Sequence, residues 1–94
     1  MLEAVFTAKF KKELKKAQKR GLNMKKLNKV IDLLVDGKKL PKRYHDHALT
    51  NSRDYHNVRE CHIEPDWLLI YRIEGDTLTL YLMRTGTHSD LFGK

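Results

Sequence analysis

The spacing of apolar residues changes from a helical period to an alternating one about halfway along this chain. Between residues 8 and 36, apolar side chains recur every three or four positions, as at Phe10, Leu14 and Ala17. In the second half, apolar and polar side chains largely alternate, as at Leu78, Leu80 and their neighbours. A chain that places helices before strands in this way predicts an α+β domain whose helices cover one sheet face.

Short polar residues and glycines mark the ends of two predicted helices. Thr7 can cap a helix that begins at Ala8 and stops near Gly21. Asn23 can cap a second helix, which ends at Gly37. Lysines cover most of the remaining helix surface, so we expect a two-helix hairpin whose apolar stripe packs on the sheet.

Four segments have the composition and alternation of strands, and a turn at residues 74–76 joins the last two. The predicted order is β-α-α-β-β-β, with a small, antiparallel-rich sheet and the helical hairpin on one face. The other face would remain open for a functional site. The predicted strands are residues 1–7, 54–63, 67–73 and 77–84.

The length of 94 residues supports one hydrophobic core, and no linker or repeat divides the chain, so we expect a single domain over residues 1–94. The single cysteine, Cys61, cannot form an internal disulfide and suits a reducing cytoplasm. No apolar run approaches the ~20 residues of a membrane span. The N-terminal segment MLEAVFTAKF also lacks the apolar core of a signal peptide. These features predict a cytoplasmic protein without a membrane partner.

Positive charge is concentrated in the helical half of the chain. Residues 1–44 contain 14 of the 19 Lys and Arg residues but only 4 of the 12 Asp and Glu residues. This asymmetry is compatible with an ordinary solvated helix surface. It is equally compatible with a polyanionic partner such as nucleic acid or an acidic protein.

Four ionisable residues lie at the ends of predicted strands or in the adjoining loops: His47, His62, Asp66 and His88. Because neighbouring antiparallel strands are joined at these ends, we expect the four to converge if the C-terminus folds back. Histidine both accepts and donates protons near neutral pH. Two such groups on opposite sides of a phosphodiester can cleave RNA, one deprotonating the ribose 2′-OH and the other protonating the leaving 5′-oxygen. Arg84 is placed to stabilise charge on the phosphate oxygens.

Other interpretations of these residues stay open. Each histidine can be an ordinary surface residue, which is the preferred interpretation for His45 and His56. The four residues at the strand ends can instead supply metal ligands, but no pair has a local metal spacing such as HExxH, and one cysteine excludes the common structural zinc types. We therefore expect no metal and no other cofactor.

Two aromatic residues are candidates for contact with a nucleotide. Trp67 and Phe92 flank the predicted site, and an aromatic face can stack on an unpaired base. The alternative for Trp67 is burial in the core. The alternative for Phe92 is a plug that fixes the C-terminus.

Three segments of the second half resemble the YafQ branch of the RelE-type bacterial toxins: DHAL (46–49), RECHIEPDWLLIYR (59–72) and RTGTHSDLFG (84–93). The helical segment AQKRGLNMKKLNKVIDLL (17–34) is similar as well, so the resemblance covers nearly the whole chain. It implies the α+β fold of the RelE-like ribonuclease toxins and a toxin of a type II toxin–antitoxin pair. Such toxins cut messenger RNA in the ribosomal A site and are blocked by a cognate antitoxin.

The resemblance also implies roles for individual residues. We expect His88 to be the general acid and His62 or Asp66 to be the general base, with His47 as a partner of the phosphate or as the base itself. The basic helices around residues 11–20 and 25–29 would contact ribosomal RNA, and DNA would be contacted only through an acidic antitoxin. The alternative is a non-catalytic module of the same fold that only binds nucleic acid or a protein. The family's site falls on His47, His62, Asp66 and His88, with Arg84, Trp67 and Phe92 in contact with substrate.

Overall fold

A five-stranded sheet with two long helices on one face forms the frame of the computed structural model, which describes residues 1–49 and 58–93. No helix in these two ranges is long and apolar enough to cross a membrane. The elements are β1 (Glu3–Phe6), α1 (Ala8–Lys19), α2 (Met24–Val35), β2 (His47–Ala48), β3 (Arg59–Glu64), β4 (Trp67–Glu74), β5 (Thr79–Gly86) and α3 (His88–Phe92), with a 3₁₀ turn at Lys42–Tyr44.

The α+β class and the order of the main elements are confirmed, but two short elements were not predicted. The strand β2 has two residues and the helix α3 has five, so neither is long enough to produce a periodic pattern. The last strand begins and ends two residues later than predicted, because Leu78 belongs to the turn and has a φ of 50°. Residues 54–57 of the second predicted strand, including His56, lie outside the described residues.

The strands are arranged in the order β1-β5-β4-β3-β2. β1 runs parallel to β5, and the other three neighbouring pairs are antiparallel. The order places β3 and β4 beside each other near the middle of the sheet, joined by a tight turn after Glu64. The residues of this turn are therefore held by strands that are paired on both sides.

Caps at the start of each long helix confirm the sequence-based boundaries. The Thr7 hydroxyl accepts a hydrogen bond from the Phe10 amide at 3.2 Å and lies 2.9 Å from the Leu82 carbonyl, to which it donates. The Asn23 side chain accepts from the Lys25 amide at 3.0 Å. Thr7 thus fixes the beginning of α1 on β5, which aligns the helix with the sheet.

Side-chain alternation along β3 separates the two faces of the sheet. Cys61 and Ile63 point toward the helices and join the main core, where burial raises the pKa of the Cys61 thiol to about 12. Glu60 and His62 point toward the opposite face. The helix-free face is therefore where the predicted site residues of this strand lie.

The helix-free face is partly covered rather than open. A second small core of Val58, Leu68, Ile70 and Leu91 lies on it, with Leu91 contributed by α3. The C-terminus folds back onto the sheet through this contact, as the sequence analysis required for His88 to approach the other site residues. The uncovered part of the face is the end near β2 and the β3–β4 turn.

Trp67 is a core residue, and its ring is not accessible to a nucleotide. It is 2% exposed, its Nε1 donates to the Thr85 hydroxyl at 2.9 Å, and that hydroxyl donates to the Leu68 carbonyl at 2.8 Å. The expectation that Trp67 stacks on a base is corrected here, because its position on the helix side of β4 places it among the main core residues. Its buried N–H has a partner in the neighbouring strand, as buried indoles usually do.

Trp67→Phe should lower the free energy of unfolding by about 1–3 kcal/mol, because it removes a buried hydrogen bond and leaves unfilled volume. Urea denaturation followed by circular dichroism measures this, since the variant lacks the chain's single tryptophan. RNA binding by the folded variant should match that of the wild type. A variant with unchanged stability and lost RNA binding would show that the ring contacts the nucleotide after all.

Candidate functional site

Two neighbouring strands bring His47 and His62 together around one carboxylate. His47 lies on β2 directly opposite Glu60 on β3, and His62 follows Glu60 by two residues on the same face. The Glu60 oxygens lie 3.8 Å from His47 Nε2 and 3.5 Å from His62 Nε2. The side chain of Glu60 is only 7% exposed, so a carboxylate and two imidazoles share a mostly enclosed position.

The sequence analysis did not single out Glu60 as a site residue. The available signal was the alternation itself, which puts Glu60 and His62 on one side of the strand. A carboxylate that is buried in a sheet usually has a charged or hydrogen-bonding partner. That partner, His47, comes from a two-residue strand that no periodicity could predict.

The second pair of site residues joins the β3–β4 turn to α3. One oxygen of Asp66 accepts the His88 backbone N–H at 2.9 Å and lies 2.6 Å from His88 Nδ1. The backbone hydrogen bond, followed by the contact with the imidazole, lowers the pKa of the Asp66 carboxyl below its ordinary value. Asp66 therefore holds the ring through Nδ1 and leaves Nε2 available, and the side chain of His88 is 46% exposed.

The ring of His62 lies at the centre of a cluster of four imidazoles, with three others around it. Its ring centroid lies 5.6 Å from that of His45, 6.5 Å from that of His47 and 5.6 Å from that of His88. The predicted convergence of His47, His62, Asp66 and His88 is thus present in the structure. His45 is exposed, as expected for a surface residue, and its ring also joins the same cluster through its contact with His62.

The segment carrying His45 and His47 is attached to the sheet by the residue between them. Asp46 accepts a hydrogen bond of 2.5 Å from the Tyr71 hydroxyl and three of 3.0–3.3 Å from the Arg59 guanidinium. His45 has a left-handed φ of 47°, a conformation that histidine adopts more readily than most residues. The turn and the anchored carboxylate together direct both histidines toward His62.

Arg84 is held away from the imidazole cluster by α1. Its guanidinium contacts both carboxylate oxygens of Glu13, at 2.6–3.2 Å, and its side chain is 16% exposed. Phe92, by contrast, is 37% exposed and lies one helical turn after His88 on α3. The structure therefore keeps Phe92 close to the cluster and commits Arg84 to an ion pair.

The helix α3 is fixed at its first turn by Asp90. Its carboxylate accepts from the Thr87 amide at 3.1 Å, completes a capping box with Thr87, and pairs with Arg20 at 2.6 Å. Hydrogen bonding by Arg20, and then by the Thr87 amide, holds the pKa of Asp90 well below its ordinary value. Gly86 permits this close approach, because a Cβ there would lie 3.0 Å from the Asp90 Cβ.

Three of the described side chains have a geometry suited to a metal ion. One ligand atom each from His47, Glu60 and His62 lies within 4.8 Å of the other two. Two imidazole nitrogens and a carboxylate oxygen form a ligand set that zinc and similar divalent ions accept. The expectation of no metal came from the absence of a local metal spacing and from the single cysteine, and it did not consider Glu60.

Comparisons with known proteins agree on one family. Residues 2–93 match the family described as the bacterial toxin of type II toxin–antitoxin systems, YafQ. The mRNA interferase toxin YafQ of Escherichia coli strain B (BL21-DE3) is 42% identical over 89 residues, which cover 94% of this chain and 92% of that protein.

Solved structures give the same result for the fold. The crystal structure of the E. coli DinJ–YafQ complex contains a chain with a TM-score of 0.89 and 39% identity, covering 99% of this chain and 100% of that one. A metal-bound toxin from Helicobacter pylori has a TM-score of 0.91 and 41% identity, covering 98% of this chain and 100% of that one.

The free energy of unfolding should fall with decreasing pH partly because α3 loses its anchors. Asp66 and Asp90 both have lowered pKa values in the folded state, so their contributions are fully present above an ordinary Asp pKa of about 4. These contributions are lost as the pH falls toward the folded-state values. Asp90→Asn should cost about 1–2 kcal/mol at pH 7 and should reduce the slope of stability against pH below about 4.

Urea denaturation at a series of pH values between 7 and 2 measures both effects. Asp76→Asn is the matched control, because Asp76 is exposed in the β4–β5 turn. Equal slopes for the Asp90→Asn variant and the wild type would show that Asp90 does not anchor α3.

Proposed function

The chain belongs to the YafQ family of bacterial toxins of type II toxin–antitoxin systems, and we propose that it is an endoribonuclease that cuts mRNA in the ribosomal A site. The observation that carries the proposal is the cluster of imidazoles and carboxylates around His62. The E. coli relative is named an mRNA interferase, which supports the same reaction for this chain. The reaction requires a base and an acid for proton transfer, and histidine can serve as either.

The general acid in this mechanism is His88. Its Nδ1 faces the Asp66 carboxylate at 2.6 Å, so Nδ1 carries a hydrogen that Asp66 accepts. The second proton then resides on Nε2, which donates to the 5′-oxygen as the P–O bond breaks. Asp66 already accepts two hydrogen bonds from His88 and its pKa is lowered, so it is the orienting group and not the general base.

The general base is His62. Its Nε2 lies 3.5 Å from a Glu60 oxygen, which leaves Nδ1 to remove the proton from the ribose 2′-OH. The positive charge that develops on His62 then faces the carboxylate of Glu60. Attack of the 2′-oxygen on phosphorus and departure of the 5′-oxygen give a 2′,3′-cyclic phosphate and a 5′-hydroxyl.

The negative charge on the phosphate oxygens is met by His45 and His47. Both lie beside His62 on the side away from the sheet core, and the side chain of His47 is 52% exposed. Arg84 was expected in this role, but its guanidinium is occupied by Glu13 at 2.6 Å. We expect Phe92, which is exposed one helical turn after His88, to pack against the nucleotide.

The partners follow from charge and from the relatives. The chain has a formal net charge of +7, which suits an acidic antitoxin that covers the site and links the toxin to operator DNA. The E. coli relative forms a complex with DinJ. The lysines of α1 would contact ribosomal RNA, and a toxin that acts on ribosomes works in the cytoplasm.

His88→Gln should reduce mRNA cleavage by at least about a hundredfold, because glutamine cannot donate the proton to the leaving oxygen. Ribosome binding should be unchanged. Primer extension on translated mRNA and co-sedimentation with ribosomes measure the two properties.

Ser89→Ala is the control for this experiment, since Ser89 is the exposed neighbour of His88 on α3. If His88→Gln cleaves as the wild type does, the proton-transfer mechanism is wrong. If the wild type and both variants fail to cleave mRNA on ribosomes, the chain is better described as a non-catalytic binding module.

Zinc should inhibit cleavage. A homologous toxin from H. pylori was crystallised with metal bound, and we expect His47, Glu60 and His62 to hold zinc in this chain. An ion on His62 Nε2, the nitrogen that faces Glu60, would leave the ring's hydrogen on Nδ1, so Nδ1 would have no lone pair with which to act as the base. Micromolar zinc should therefore lower the cleavage rate, and a zinc-selective chelator should restore it.

Calorimetric titration with zinc should show binding to the His88→Gln variant and weaker binding to Glu60→Gln. This readout is independent of cleavage. Cleavage that is abolished by the chelator and restored by zinc would instead show a metal-dependent nuclease.

A further inference from the structure

A cleft extends from the imidazole cluster along α2. Its volume of about 820 Å³ is within the range of ordinary ligand sites. His45, His47 and His62 line its inner end. The cleft continues away from them between α2, the 3₁₀ turn and the end of β3. His88 does not line it, so the cleft lies on one side of the catalytic cluster only.

The rim of the cleft is basic. Lys26 and Lys29 are three residues apart on α2, so they project from the same side of the helix, and Arg43 faces them from the 3₁₀ turn. Among the described residues of the lining, Glu64 is the only carboxylate, and it pairs with Lys26 at 3.0 Å. The positive charges outnumber the negative one, which favours a ligand with several phosphates.

One wall of the cleft offers a flat surface for a base. The Arg43 guanidinium lies 4.9 Å from the centroid of the Tyr44 ring, and its Nη2 donates to the Tyr44 hydroxyl at 3.1 Å. Tyr44 is itself buried at 7% exposure, so it holds the guanidinium plane in a fixed orientation. Unpaired RNA bases commonly stack on such planes.

We propose that this cleft binds the mRNA nucleotides on the 5′ side of the cut. The inference rests on the function proposed above, in which His62 takes the proton from the 2′-OH and His88 protonates the leaving 5′-oxygen. The 2′-OH belongs to the nucleotide upstream of the cut, and that nucleotide must lie beside His62. Since the cleft begins at His62 and not at His88, the upstream strand enters it, with Lys26 and Lys29 on its phosphates and Arg43 against a base.

With the mRNA in this cleft, Lys26 and Lys29 of α2 contact the message instead of ribosomal RNA. The sequence analysis placed the lysines of residues 25–29 against ribosomal RNA. The side chains of Lys26 and Lys29 line the cleft, and Lys25 does not. The two lysines of the rim are therefore assigned to the message and not to the ribosome.

The first test removes the two lysines of the rim together. Lys26→Ala/Lys29→Ala should raise KM for ribosome-bound mRNA about tenfold with kcat within about threefold, because substrate binding is lost but the proton-transfer groups remain. Lys38→Ala/Lys39→Ala removes the same charge from an exposed loop outside the cleft and should leave both constants within about threefold. Lys29→Ala alone, which keeps the partner of Glu64, should raise KM in the same direction.

The second test identifies the RNA that the cleft holds. Lys29→Cys can be labelled with a benzophenone maleimide, because the native Cys61 is fully buried. The labelled protein is bound to ribosomes carrying an mRNA with a single 2′-deoxynucleotide at the cut site, which prevents cleavage. Photocrosslinks should map to mRNA nucleotides upstream of the cut.

The outcomes distinguish a wrong assignment of the cleft from a wrong catalytic mechanism. Crosslinks to ribosomal RNA only, or to mRNA downstream of the cut, would overturn the assignment, as would equal KM values for the rim and control variants. If the wild type fails to cut the unmodified mRNA on the same ribosomes, the proposed function itself fails and the assignment fails with it.

Discussion

The position of His88 depends on one carboxylate, Asp66, which accepts both its backbone N–H and its ring nitrogen. Asp66 is 64% exposed, and an exposed pair of this kind contributes little to stability. The attachment of α3 therefore comes from other contacts, namely the burial of Leu91 on the sheet and the pairing of Asp90 with Arg20. Leu91 and Asp90 attach α3 to the sheet, and Asp66 orients the ring of His88. The imidazole therefore keeps one orientation although it lies at the surface.

The main elements could be predicted because each carries its own local signal. Thr7 and Asn23 cap the helices where the sequence indicated, and alternation placed Glu60 and His62 on the face opposite Cys61. The convergence of the predicted histidines followed from topology, since antiparallel strands bring loop residues to one edge.

The rest depended on tertiary contacts that no local pattern contains. One partner of Glu60, His47, comes from a two-residue strand, and the approach of His45 depends on a left-handed turn. Trp67 was misassigned because an aromatic residue at the end of a strand can face either way. The ion pair of Arg84 could not be predicted, because its partner, Glu13, is 71 residues away in the sequence.

Proton transfer and metal binding both use the imidazole ring of His62, so one excludes the other. The cleft, which starts at His62, gives the site a direction. The central claim is that the ribose 2′-OH is the nucleophile, activated by His62, and that His88 releases the 5′-oxygen. The chemical ends of the cut mRNA test this most directly, by mass spectrometry of the fragments from a defined message on ribosomes. With these roles, the upstream fragment should carry a 2′,3′-cyclic phosphate and the downstream fragment a 5′-hydroxyl. A 3′-hydroxyl with a 5′-phosphate would mean that water attacks from the opposite side, which contradicts the roles assigned to both histidines.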